Sequence, residues 1–156
     1  MRVGARALLA VATLAFSACQ PAPPPPEETM TDVQYLNMPG TEDLGLPFSS
    51  AVRVDNTLYL SGNIGNLPGS NELAPGGIQA ETRQTMENIK TVLEQFGSSM
   101  NQVVKCTVFL ADIGEWAAMN EVYRTYFRNA PARSALGSSG LALNARVEIE
   151  CIATVE

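Results

Sequence analysis

The sequence predicts an α+β fold, one mixed β-sheet covered on one face by two helices. Three observations carry that expectation. Two segments repeat apolar residues at helical spacing, Ile78 to Phe96 and Trp116 to Phe127. Four segments read as strands: the paired runs Val52 to Val54 and Thr57 to Leu60, the β-branched run Val103 to Leu110, and Arg146 to Val155, which alternates strictly. Gly, Pro and Asn clusters separate these segments. Two helices shield only one face of a sheet, so the other face calls for cover, and self-association is expected.

Taken in order, Asp55-Asn56 between the alternating runs signals a hairpin turn. Ser61-Gly62 ends the second strand, and Asn66 to Gly77 is a Gly/Pro-rich loop. Ile78, Met86, Ile89, Leu93 and Phe96 give the first helix its apolar face, with Gly97 as its stop. Val103 to Leu110 follows as a mostly buried strand. Asp112 with Glu115 three residues on forms a capping-box-like start to the second helix. That helix carries Trp116, Met119, Tyr123, Tyr126 and Phe127 as packing residues and ends before Pro131. Ser134 to Leu136 reads as a short strand. In the last strand Val147, Ile149 and Cys151 face one way, Glu148 and Glu150 the other. The predicted order is β-β-(β)-α-β-α-β-β.

Upstream of the domain, residues 1–18 read as a lipoprotein signal peptide. Arg2 and Arg6 supply the basic end, and Ala7 to Phe16 is an apolar run too short to span a bilayer. Ser17-Ala18-Cys19 resembles a bacterial lipobox, with Cys19 as the lipidation site. Residues 19–31 form a proline-rich tether that favours extended polyproline II. The domain occupies residues 32–156. The expected location is the bacterial cell envelope, lipid-anchored and facing the periplasm, with Gln20 after Cys19 leaning towards the outer membrane.

Composition narrows the chemistry. Among 156 residues there is no histidine, which excludes the usual Ser-His-Asp and Cys-His catalysis and the HExxH zinc motif. Neither a metal nor another cofactor is expected. The net charge of −6 argues against a nucleic-acid partner. Cys106 and Cys151 lie on predicted strands, as two buried small apolar residues or as a disulfide of an exported chain.

Three stretches stand out: Ser61-Gly62-Asn63-Ile64, Pro131-Ala132-Arg133-Ser134 and Val147-Glu148-Ile149-Glu150. With LPFSSAVRVDNTLYLSGNIG, PGGIQAETRQTMENIKTVLEQFG, VVKCTVFLADIGEWAAMNEVYRTYF and VEIECIA, this ordered set resembles the reactive intermediate deaminase (RidA-like, formerly YjgF) family over residues 44 to 154. The resemblance implies a chorismate-mutase-like fold and a homotrimer with clefts between subunits. It also implies hydrolysis of 2-imino acids, formed from enamines such as 2-aminoacrylate, to 2-keto acids and ammonia. Carried over residue by residue, Arg133 clamps the substrate carboxylate and Glu148 positions or deprotonates the attacking water. Phe48, Ser61, Gly62, Asn120 and Ala135 fall at substrate-binding positions.

The chain also departs from the family pattern. Phe48 stands where many relatives have tyrosine, Ala135 where many have cysteine, and Gly137-Ser138-Ser139-Gly140 replaces a strand segment. Read without the resemblance, Arg133 could instead form a structural salt bridge with Glu150. The competing function is a non-catalytic, small-carboxylate-binding trimer at the cell envelope.

Overall fold

A computed structural model of the chain describes residues 31–41 and 44–156. The signal peptide, Cys19 and all but the last residue of the tether lie outside the described residues. The elements are β1 (Val33–Leu36), β2 (Ala51–Val54), β3 (Thr57–Leu60), β4 (Asn63–Ile64), α1 (Ile78–Gln95), β5 (Val103–Leu110), α2 (Trp116–Tyr123), β6 (Ala132–Gly137) and β7 (Val147–Thr154). The strands form one mixed sheet in the order β1-β2-β3-β7-β5-β6, and β4 pairs with β7 beside that path. Only β5 and β6, joined through α2, run parallel among these pairs.

Alternation along the strands creates two different faces. Leu58, Cys106, Val108, Val147, Ile149 and Ala153 point into the core beneath the helices and are buried. The helical spacing of α1 supplies Ile78, Met86, Ile89 and Leu93 to the same core. Thr82 and Thr85 are buried too, because their hydroxyls donate to the carbonyls of Ile78 and Glu81 one turn back (2.7 and 2.8 Å). Gly97, at φ +78°, turns the chain out of α1. The Ser98 N–H then returns to the Leu93 carbonyl at 2.8 Å, closing a Schellman end.

The opposite face carries Tyr35, Val52, Tyr59, Phe109, Glu148 and Ile152, with Tyr35 74% and Tyr59 45% exposed. Among the described residues no helix covers it, as the helix count predicts.

Two local readings change. The second helix is shorter than its apolar pattern: α2 ends at Tyr123, a 3₁₀ turn takes Arg124–Tyr126, and Phe127 is extended. Asp112 does cap, accepting from the Gly114 N–H at 2.8 Å, but it starts a 3₁₀ turn at Ile113–Glu115. Glu115 does not close the box, because its carboxylate accepts from Arg146 instead. Arg146 also donates its backbone N–H to the buried Glu81 (2.8 Å), which ties the start of β7 to α1.

Cys106 and Cys151 face each other across β5 and β7 with Cα atoms 4.1 Å apart and are joined as a disulfide. Both sulfurs lie in the core, so the cysteines combine the two alternatives of burial and pairing. Among the described residues no helix is long and apolar enough to cross a membrane.

Candidate active site

Arg133 stands on β6, in register with Cys106 of β5, and therefore points to the helix-covered side. There its Nη1 donates to Asn120 Oδ1 at 2.6 Å. Its guanidinium lies 4.7 Å from the Tyr123 ring centroid and 5.9 Å from that of Trp116. Trp116, Asn120 and Tyr123 all come from α2, spaced four and three residues apart, so one helix face presents all three to the arginine. Ala135, two residues along β6, faces the same way and packs against the core.

This environment suits a cation that has kept its charge for another partner. The ion pairs among the described residues are Lys90–Glu94 and those of Arg146 with Glu81 and Glu115. Arg133 joins none of them, and the Arg133–Glu150 bridge considered from sequence does not form. The two rings and the Asn120 amide hold the guanidinium plane, while its remaining N–H groups can donate two parallel hydrogen bonds to a planar carboxylate. Beneath it, Tyr123 is 5% exposed and its hydroxyl is buried without a hydrogen-bond partner. Burial pushes its pKa up to about 12, against a smaller lowering by Arg133, so the phenol stays neutral beside the cation.

Glu148 occupies a different place. It stands on β7 in register with Phe109 of β5 and Ile64 of β4, on the open face. Its carboxylate lies against Gly62. A Cβ at Gly62 would collide with Oε1 and stand 2.9 Å from Cδ, so glycine is what lets the carboxylate rest there. Ser61, beside it, donates its hydroxyl to the Ser49 carbonyl at 2.7 Å, and Asn63 donates its amide to the Ser61 carbonyl at 2.8 Å. Phe48 is 57% exposed at the end of the loop before β2.

The candidate residues thus form two groups. Arg133, Asn120 and Ala135 come together on the helix side, and Glu148 and Gly62 on the open side. Within one chain the two groups lie on opposite faces of the sheet. Trp116 and Tyr123, read from sequence as packing residues, belong to the first group. Their spacing with Asn120 at positions i, i+4 and i+7 of one helix was the available signal.

With that geometry in place, the chain can be compared with known proteins. The family model described as Endoribonuclease L-PSP matches residues 43–155. The chain belongs to this family. It is 45% identical over 108 residues to the mouse 2-iminobutanoate/2-iminopropanoate deaminase, covering 69% of this chain and 80% of the mouse protein. It is 44% identical over 108 residues to the human protein of the same name, with 69% and 79% covered. Among solved structures, yeast YEO7 superposes with a TM-score of 0.74 at 36% identity, over 80% of this chain and all of that one. The structure of E. coli TdcF with bound serine gives a TM-score of 0.67 at 30% identity, over 71% and 90%. The α+β architecture expected from sequence is therefore that of solved family members.

Proposed function

We propose that this protein hydrolyses 2-imino acids to 2-keto acids and ammonia. The observation that carries the reading is Arg133, a cation bracketed by two rings and an amide and paired with no carboxylate among the described residues. Relatives more than 40% identical bear the name 2-iminobutanoate/2-iminopropanoate deaminase, which supports the same substrate class here.

In this reading Arg133 holds the substrate carboxylate and so fixes the neighbouring imine carbon. That carbon is already electrophilic, so water attacks it with no covalent nucleophile. Glu148 takes a proton from the attacking water, and a tetrahedral amino alcohol forms. Glu148 passes that proton to the nitrogen; the new hydroxyl then gives its own proton to the nitrogen as the C–N bond breaks, and ammonia leaves with the keto acid formed. A positioned carboxylate supplies roughly 10²–10⁴-fold of such a reaction.

Arg133 and Glu148 lie on opposite faces of one sheet, so the reaction needs Glu148 from a second copy. A homotrimer, with three open faces turned inward and clefts between copies, meets that need and covers the exposed Tyr35 and Tyr59. The export signal read at residues 1–18, a lipidation site at Cys19 and the proline-rich tether support a location at the bacterial cell envelope, facing the periplasm, with Gln20 leaning towards the outer membrane. The buried disulfide agrees with folding in an oxidising compartment. The acidic balance, −6, favours small carboxylates over RNA only because a trapped cation, not a basic surface, does the binding.

A lone chain supports a narrower function, capture of small carboxylates at Arg133 without turnover. One experiment separates the two. An amino-acid oxidase generates 2-imino acids in the presence of semicarbazide, and the loss of semicarbazone is followed with the full chain. Loss that depends on both Arg133 and Glu148 is the expected result. Retained keto-acid binding without any such loss would leave the binding module in its place.

A further inference from the structure

Arg133 accounts for the substrate's carboxylate and leaves open what the rest of the substrate meets. Tyr123 lies beneath the guanidinium and is buried, whereas Trp116, on the same helix face, is 45% exposed. Asn120 occupies Nη1, so a carboxylate must approach the remaining edge of the guanidinium from the solvent side. That approach passes the exposed indole. Across β6, the side chain next along on this face is the methyl of Ala135, two residues from Arg133 and about 6.6 Å away along the strand. The surfaces around the cation are therefore an indole, a phenol ring and a methyl group. Among the polar groups here, Asn120 already has its carbonyl oxygen on Arg133, and the Tyr123 hydroxyl is buried.

We propose that Trp116 is a specificity-determining residue, whose exposed indole receives the substrate's side chain and selects 2-imino acids with branched or aromatic apolar substituents over those bearing only a methyl group. The inference rests on the carboxylate-clamp reading of Arg133. A flat, largely apolar wall beside a fixed carboxylate gains contact area with each carbon added to the substrate and offers a polar substituent only the indole N–H. Tyr123 is buried and closer to the guanidinium, whereas Trp116 is 45% exposed and keeps its outer face for the ligand.

Trp116 is the single tryptophan of the chain, so its fluorescence reports on the wall itself. The test titrates the full chain with two stable keto acids, pyruvate and 4-methyl-2-oxopentanoate, following tryptophan emission and, in parallel, heat. The expected result is an emission change with both acids and about tenfold tighter binding of the branched one, at the low end of what added carbons gain in an apolar pocket. In Trp116→Ala, measured by calorimetry, the preference falls to about twofold or less, the branched acid losing more affinity than pyruvate. Trp116→Phe, a smaller ring, gives an intermediate preference and carries the test if the alanine variant does not fold.

Equal binding of the two acids by the unaltered chain overturns the proposal. So does a preference unchanged in both variants, or an equal loss of both acids in Trp116→Ala, which would make Trp116 a positioning residue for Arg133. Arg133→Ala keeps the two readings apart. If it abolishes binding of both acids, the clamp stands whatever Trp116 does. If it binds both as before, the clamp fails and the selection with it.

Discussion

The two halves of the candidate site are built differently. Around Arg133 one chain supplies everything that holds the side chain: an amide at 2.6 Å and two rings at 4.7 and 5.9 Å, all from α2. Around Glu148 the chain supplies mainly space. Gly62 withholds a side chain, and β4 contributes only two residues to the pairing with β7. The first group is complete as soon as the chain folds. The second is a carboxylate on an exposed sheet face, waiting for a surface from elsewhere. In the function proposed above, binding is thus a property of the single chain, and turnover a property of the assembly.

That contrast can be broken at either end. The largest effect is expected from Arg133→Ala, which removes two charge-assisted hydrogen bonds at about 1.5–3 kcal/mol each and should lower kcat/KM by roughly 10²–10⁴-fold. Keto-acid binding, read by calorimetry, should disappear with it. Glu148→Gln should lower kcat by a similar roughly 10²–10⁴-fold but leave keto-acid binding intact. Binding lost in both variants would contradict the division of labour.

The strands between the two groups can be loosened next. Replacing both Cys106 and Cys151 by alanine opens a loop with a sequence separation of 45 residues. The fold should lose about 2–4 kcal/mol in denaturant unfolding, with kcat retained below the transition. Gly62→Ala sharpens the view of the open side. The new methyl displaces the free end of Glu148, so kcat should fall about tenfold, with stability changed by no more than about 1 kcal/mol.

The smallest effect is expected beneath Arg133. Tyr123 buries a hydroxyl without a partner, so Tyr123→Phe should be neutral or stabilising by about 1 kcal/mol near neutral pH. Burial holds the Tyr123 pKa at about 12, and burial with a hydrogen bond to Glu87 does the same for Tyr126, against 10.0 ordinarily. Folded-state values above the unfolded ones mean that the protonated phenols favour the fold. That contribution is complete below pH 10 and is lost as pH rises towards 12. Unfolding measured across that window should decline less steeply in Tyr123→Phe.

Much of this architecture was legible in the residues because burial imposes periodicity. The apolar face of α1, the core run of β5 and the alternation of β7 are direct imprints of which side chains reach the core. β1 left no such imprint. Val33, Gln34 and Tyr35 are all exposed, since an edge strand on an uncovered face has no inside to alternate with. β4 is two residues long and too short to carry a pattern. The overlong second helix has the same origin: Tyr126 and Phe127 continue the apolar spacing because they pack on the core, not because the chain is still helical. In the site, the arginine and asparagine were visible through family resemblance. The aromatic bracket was hidden because Trp116 and Tyr123 look like ordinary helix packing until β6 lays a cation between them. That Arg133 and Glu148 face apart follows from strand parity only once the register between β5, β6 and β7 is known.

The disulfide has one more consequence, and it concerns history. Cys106 is 1% and Cys151 2% exposed, so the closed sheet hinders a reductant or an oxidant from reaching the sulfurs. Their redox state is set most readily before the core seals. Two populations of the same sequence, one folded among oxidants and one among thiols, would share a fold, a site and a surface, yet would interconvert slowly while folded. Each molecule therefore retains, at the strand between its two functional faces, a covalent trace of the surroundings in which it was made.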